Sequence, residues 1–416
     1  MPATKLMGAL TDKYCIVGLG QTPFMRPSNR TTLSMACEAI RNALDDAGLR
    51  PSDVDGITSY QGGQGGDSTS AAHIGSALGL RFNYASEMLG GGSATEMLVA
   101  HAIGLIEGGY CKTMIVFRSM NGRSGRRYGG QAPGGPVPAT PAAAEGQFTV
   151  TNGFTTPAQM FGVSAMRYLR DFGATTRSFA EIAVAHRYHA SLNPKALMRT
   201  PITIEDHQRS RWVAKPFRLL DCCLETDVAS VLIVTSRERA YDLKQPPVFI
   251  RGGSARTFSP SPAWNYSRPE IHYQGGNYAR QRMLGMSGVT HKDINLISCY
   301  DAFTFTTLIQ LEAYGFCGRG EAHEFVKGGR LMIDHELPCN TGGGHLSEGY
   351  THGLNLVAEN VRQLRHRADD TCPGSAEGKH TYDRARGCRQ VKNAHIAACL
   401  GWRTETGGSS LILRSM

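Results

Sequence analysis

Two tyrosines stand at the ends of segments where side chains can meet a substrate. Tyr300 follows an apolar stretch, 294–297, that reads as a strand, and it runs straight into a helix rich in Phe, Thr and Leu. Tyr350 closes a second stretch, Asn340-Thr341-Gly342-Gly343-Gly344-His345-Leu346-Ser347-Glu348-Gly349-Tyr350. Functional side chains of open α/β sheets gather where strands end. A phenol can give or take a proton, but its ordinary pKa is about 10, so acting as a base at pH 7 costs about 4 kcal/mol. A neighbouring cation or a relay through water lowers that cost; His345 and His352 are the candidates. Each tyrosine alone equally fits a core phenol with a satisfied hydroxyl.

A third stretch supplies backbone rather than side chains. Gly90-Gly91-Gly92-Ser93 precedes an apolar helix running to about residue 107, and Ser93 with Glu96 has the spacing of a capping box. A buried helix start preceded by glycines offers bare N–H groups and a positive dipole end, which suits an oxyanion or carbonyl. Gly92 and, in the second stretch, Gly344 are the candidate backbone donors; close helix packing is the structural alternative. His186 and His189 have i, i+3 spacing but no carboxylate or Cys at helical spacing, so a solvated or capping role is expected and no metal site.

The elements that must position these residues alternate strand and helix. Strands are expected near 14–19, 53–60, 82–88, 113–117 and 227–236, with helices over 33–47, 71–79 and 94–107 between them. That alternation implies a parallel-type sheet covered on both faces. After residue 117 it breaks. Arg118, Arg123, Arg126 and Arg127 lie in a Gly-rich loop, a Pro/Ala/Gly tract follows, and two helices are expected over 157–172 and 178–191, the second with a capping box of Ser178 and Glu181. A second α/β series starts at about 248, with a helix over 277–286, the Tyr300 junction and a closing strand pair over 394–400 and 410–413.

The 416 residues with 49 glycines describe a globular α/β protein with many tight turns. No apolar run approaches the roughly 20 residues of a membrane span, and the first twelve residues hold no signal-peptide core. The 11 scattered cysteines include no C-x-x-C, which favours reduced thiols and a cytoplasmic location. The net charge of +9 lacks the clustering of a nucleic-acid reader; a small polyanion or a solvated basic surface explains it.

Two α/β halves with an insertion in the first resemble the thiolase superfamily over nearly the whole chain. The specific pieces are Phe217-Arg218-Leu219-Leu220-Asp221-Cys222-Cys223, Tyr300-Asp301-Ala302-Phe303-Thr304, and the stretch closing at Tyr350 followed by His352-Gly353-Leu354-Asn355. The nearest pattern is that of the sterol carrier protein-type thiolases and their lipid-transfer relatives. The resemblance implies two βαβαβαββ halves in a five-layered α-β-α-β-α fold, residues 1–244 with a loop insertion at 120–224, and residues 245–416. Where that family carries its nucleophilic cysteine, this chain has Gly92. Its His-Asp-Cys-Phe is Tyr300-Asp301-Ala302-Phe303 here, and its Gly-His-Pro is Gly349-Tyr350-Thr351.

A thiolase needs a thiolate to carry the acyl group; aldol cleavage does not. This substituted pattern resembles the thiolase-like retro-aldolases of steroid side-chain degradation. By that resemblance Tyr300 and Tyr350 carry the proton transfers, in either order, with His352 beside them, while a β-hydroxyacyl-CoA is cleaved to a ketone and a short acyl-CoA such as propionyl-CoA. Coenzyme A enters as part of the substrate, with Arg123, Arg126 and Arg127 as candidates for its phosphates and no tightly bound cofactor. The resemblance also implies a homodimer and a small zinc-ribbon plus OB-fold partner, with neither nucleic acid nor membrane. Two other readings stay open: an acyltransferase or thiolase using a displaced cysteine such as Cys299, and a non-catalytic lipid- or acyl-CoA-binding subunit.

Overall fold

The computed structural model describes residues 8–62, 69–125, 152–154, 156–258, 274–368, 380–403 and 407–416. The first series comprises β1 (Tyr14–Gln21), α1 (Thr32–Ala47), β2 (Gly56–Gly62), α2 (Ala71–Leu78), β3 (Tyr84–Gly90), α3 (Ala94–Glu107) and β4 (Thr113–Asn121). Helices α4 (Pro157–Phe172) and α5 (Arg177–Leu192) and a small ribbon of β5 (Trp212–Ala214) and β6 (Phe217–Arg218) intervene before β7 (Asp227–Ser236). The second series is β8 (Val248–Phe258), α6 (Gln274–Ser287), β9 (Leu296–Cys299), α7 (Thr304–Ala313), α8 (Gly344–Ser347), α9 (Leu354–Leu364), β10 (Ile396–Arg403) and β11 (Gly407–Arg414).

The main sheet among the described residues has the order β3-β2-β4-β7-β1-β8-β11-β10-β9. It is mixed rather than parallel: β7 runs antiparallel between β4 and β1, and β11 antiparallel between β10 and β8. The order β9-β10-β11-β8 repeats β2-β4-β7-β1, with a single parallel bridge between Ile297 and Cys339 where the first half has the full β2–β3 ladder. A short antiparallel ladder, Tyr14↔Ile250 to Ile16↔Val248, joins the two repeats.

Helices α1 and α2 cover the outer face of the first repeat, and α6 and α7 that of the second. Helices α3 and α9 lie between the two, in one core with residues of both repeats. This is the expected five-layered order. Helix α3 is apolar nearly all round because both of its sides face sheet. No helix among the described residues is long and apolar enough to cross a membrane.

Local chemistry explains several boundaries and corrects others. Thr31 caps α1 by accepting from the Ser34 amide, and Gly48 ends it in the left-handed region. The expected capping box of Ser93 and Glu96 does not form: no side chain caps α3, and the Glu96 carboxylate instead accepts from the Ser409 hydroxyl at 2.8 Å. Nor does the box of Ser178 and Glu181, because α5 begins one residue earlier and the Ser178 hydroxyl donates back to the Thr175 carbonyl. Strand β9 starts two residues later than expected, since Asn295 spends its side chain on the amides of His395 and Ile396.

Candidate active site

Strand β9 delivers Tyr300 to the interior. The Tyr300 amide donates to the Leu400 carbonyl at 3.0 Å, continuing the β9–β10 ladder by one residue. Its carbonyl accepts from Thr306 Oγ1 at 2.8 Å and Gln310 Nε2 at 2.9 Å, both on α7. Tyr350 is clasped by Thr226, whose hydroxyl accepts from the Tyr350 amide at 3.0 Å and donates to its carbonyl at 2.8 Å. Although 50 residues apart, the two phenol hydroxyls meet at 2.7 Å with both rings buried. Either oxygen can donate in this bond.

Gly92 lies against the same ring. A Cβ built on Gly92 would overlap Cε1 and Cζ of Tyr300 and the Trp402 carbonyl oxygen. The volume a nucleophilic side chain would need is therefore filled by the hydroxyl end of Tyr300. The Gly92 carbonyl is already engaged, accepting from the Trp402 amide at 3.1 Å. Ser93 beside it is fully buried, and its hydroxyl has no hydrogen-bond partner among the described residues. Gly353, the N-cap of α9, also approaches Tyr300 and Thr95 of α3. Two helix N-termini thus converge on the tyrosine pair, and their dipole ends favour negative charge there.

Both candidate histidines belong to this chamber, in different ways. The His345 ring stands edge-on to Tyr300 and Tyr350, at centroid distances of 5.0 and 4.8 Å. Burial lowers its pKa to about 4, so it is neutral at pH 7 and is not the cation the sequence reading sought. His352 lies 5.5 Å from Tyr350 and 6.1 Å from Tyr300, in a left-handed conformation (φ 62°). Tyr60 fixes that turn by donating to the His352 carbonyl at 2.6 Å.

Tyr60 and Arg118 also belong to this site, though neither is a functional candidate from sequence. Arg118 belongs to β4 rather than to a loop; it is fully buried, donates to the Tyr60 carbonyl at 2.9 Å, and lies 5.2 Å over the Tyr60 ring. A guanidinium stays charged in any protein interior. The signal for Tyr60 was its strand: β2 occupies in the first repeat the place of β9 in the second, so Tyr60 is a strand-end tyrosine like Tyr300.

Asp301 organises the wall behind the tyrosines. Its carboxylate accepts from the His345 amide at 2.9 Å and the Leu346 amide at 3.4 Å, and contacts His186 Nδ1 at 2.9 Å. Gly344 comes so close to this carboxylate that a Cβ would collide with it. The two amides that follow Gly344, those of His345 and Leu346, are therefore taken by Asp301. Burial alone would lower the His186 pKa, but the bonds to Asp301 and Cys339 raise it to about 9. His186 and His189 are both fully buried, not solvated: His189 Nδ1 meets the Asn340 carbonyl at 3.2 Å. Cys299 and Cys339 are fully buried in the same wall, and burial raises the Cys299 pKa well above that of a free thiol.

Arg123 does not join this chamber. Its amide donates to Asp227 at 2.8 Å, and its guanidinium faces Glu225 at 3.6 Å. Arg126 and Arg127 lie outside the described residues. No cluster of three or more His, Cys, Asp or Glu among the described residues is arranged to hold a metal ion.

Comparison with known proteins agrees with this geometry. Residues 264–378 match the family model Thiolase C-terminal domain-like. The chain is 42% identical to the 17-hydroxy-3-oxo-4-pregnene-20-carboxyl-CoA lyase of Mycobacterium tuberculosis, over 86% of this chain and 92% of that one. This chain belongs to the thiolase superfamily, with the steroid side-chain-cleaving aldolases. It is 39% identical to the steroid side-chain-cleaving aldolase of Thermomonospora curvata, again over 86% of this chain and 92% of the other. Among solved structures, an Ltp2-ChsH2(DUF35) aldolase superposes with a TM-score of 0.84 at 36% identity, covering 98% of each chain.

Proposed function

We propose that this thiolase-superfamily member is a carbon–carbon lyase, a retro-aldolase that cleaves a β-hydroxyacyl-CoA carrying a tertiary hydroxyl on a steroid ring. The observation that carries this reading is the 2.7 Å contact between the Tyr300 and Tyr350 hydroxyls, beside a Gly92 that has no room for a nucleophilic side chain. Tyr350, entering as its phenolate, takes the proton of the β-hydroxyl, and Tyr300 enters protonated. The O–H electrons form the ketone, the Cα–Cβ bond breaks, and its electron pair collects as the thioester enolate. Tyr300 gives its proton to Cα, and the pair is reset by proton exchange across the 2.7 Å bond. The products are a ring ketone and a short acyl-CoA such as propionyl-CoA, with no covalent intermediate.

The charge that develops lies first on the Tyr350 oxygen and then on the enolate oxygen. The N-terminal ends of α3 and α9 and the buried Arg118 all favour that charge. The Gly92 amide is the proposed donor to the thioester oxygen. The second cysteine-based reading has less support: Cys299 is enclosed and its thiol is driven towards the protonated form.

Coenzyme A enters as part of the substrate. The superposition on an Ltp2-ChsH2(DUF35) aldolase supports a second protein component; we take it to be a small zinc-ribbon and OB-fold protein, and the chain to be a cytoplasmic homodimer. The test is turnover of the chain, alone and with such a partner, on a steroid β-hydroxyacyl-CoA, with ketone and acyl-CoA measured together. Tyr350→Phe should keep its circular dichroism and Tm and lose at least about 100-fold in kcat, the scale of general acid–base catalysis. Unchanged turnover in that variant would overturn the assignment.

A further inference from the structure

A cavity of about 920 Å³ opens away from the tyrosine chamber, between the C-terminal ends of α1 and α9 and the loop after α5. Its lining holds six cationic side chains, Lys195, Lys244, Arg362, Arg365, Arg367 and Arg389, against two acids, Asp45 and Asp46. Helix α9 separates the two sites: Gly353 at its start faces Tyr300, and Arg362 and Arg365 at its end face the cavity, roughly 16 Å away at the rise of an α-helix. The two sites share one wall, since Phe24 lines the cavity and packs on Gly349, next to Tyr350.

Arg365 is the least satisfied of these cations. Arg365 has a side chain 3% exposed, with Nη1 on Asp46 Oδ2 at 2.8 Å; Nε and Nη2 have no hydrogen-bond acceptor among the described residues. Asp46 is already shared with the Leu19 amide at 2.8 Å. Glu359, beneath the cavity, is bonded by Arg389 and lies 3.6 Å from Arg362. Arg367 is exposed at the rim. Helix C-termini attract cations, but each presents only about half a unit of negative charge. Arg365 is thus left with two buried nitrogens that no acceptor among the described residues meets, among cations of the lining that the tyrosine chemistry does not use.

We infer that this cavity is a second ligand site, which takes a multiply phosphorylated anion of nucleotide size. Pockets of 300–1,000 Å³ suit such a molecule, and guanidinium groups fork onto phosphate oxygens in pairs. The phosphates can belong to the nucleotide tail of coenzyme A or to a free nucleotide. The inference stands on the cavity alone and is independent of the proposed aldol cleavage.

The test is calorimetric titration of the full chain with adenosine 3′,5′-bisphosphate and with pyrophosphate. Saturable binding that weakens with rising salt is expected. Arg365→Gln should weaken it roughly tenfold, the scale of one charge-assisted contact. Should that buried variant fold poorly, Arg367→Glu on the exposed rim carries the test, with a similar loss at unchanged Tm. Displacement by coenzyme A would assign the phosphates to the substrate tail; binding that persists in saturating coenzyme A would assign them to a separate nucleotide. No saturable binding at roughly 1 mM probe, or unaltered affinity in folded Arg365→Gln and Arg367→Glu, would overturn the site and leave the arginines as partners of helix ends.

Discussion

At the scale of single residues, one substitution links two positions. By the resemblance to thiolases Gly92 takes the place of their nucleophile, and the ring of Tyr300 fills the space a side chain there would occupy. The loss of the cysteine and the gain of the tyrosine are thus one steric event: a phenol is larger than the imidazole of the sterol carrier-type pattern and needs a glycine opposite. Restoring the cysteine should not restore acyl transfer. Gly92→Cys places Cβ inside contact distance of both Tyr300 and the Trp402 carbonyl, and the latter is backbone that cannot swing away. Overpacking of this kind costs about 1–3 kcal/mol or more. The expected outcome is a lower Tm and loss of cleavage, with no acyl adduct on the intact chain by mass spectrometry after incubation with acyl-CoA. An adduct at residue 92 would show that the pocket still accommodates a thioester nucleophile and that Tyr300 yields.

At the scale of elements, the chamber depends on a clasp between α5, the end of β9 and the start of α8. Asp301 receives two amides from α8 and an imidazolium from α5, all without solvent. Removing its charge breaks the buried ion pair with His186 and leaves only Cys339 beside that imidazolium, and breaking a buried pair typically costs about 3–5 kcal/mol. Asp301→Asn should therefore lower Tm strongly, whereas a paired His186→Gln, Asp301→Asn variant should recover part of the loss. A double change no better than the single one would mean that the amide contacts, not the ion pair, carry the stability. This clasp also marks how far the sequence could be read. Tyr300, Tyr350 and Gly92 were legible because each departs from a recognisable local pattern, and the strand-helix alternation placed them. The partners of Asp301 were not: His186 lies 115 residues away, and helical spacing alone gives it a solvated or capping role. Nor does the sequence show that the two amides after Gly344, the expected oxyanion donor, meet an internal carboxylate. Arg118 was assigned to a loop because a charged residue rarely ends up fully inside a strand.

At the scale of the whole molecule, the two repeats are tied by the middle layer, and Glu96 is a titratable group in that tie. It rises from α3 of the first repeat and accepts from Ser409 on β11 of the second, while Gly401 on β10 leaves it just enough room. Burial raises its pKa to about 7, outweighing the backbone and Ser409 donors that lower it. The folded chain therefore holds a proton on Glu96 that the unfolded chain has released at about pH 4.5. Between pH 4.5 and 7 the native state binds more protons, so stability falls as pH rises, and the loss is complete above pH 7. Glu348, also raised to about 7 by burial, acts in the same direction. His189 and His345, held neutral by burial, act oppositely and lose stability as pH falls below 6.5. These opposing contributions flatten the overall curve, so the wild-type profile alone does not isolate Glu96. The difference between Glu96→Gln and wild type does. Glutamine keeps the shape and cannot ionise, so the variant should gain on wild type as pH is raised from 5 to 7.5, by on the order of 3 kcal/mol. Urea denaturation at the two pH values measures it. A constant difference across that range would mean that Glu96 is ionised throughout, stabilised by the N-terminal turn of α3 in which it lies.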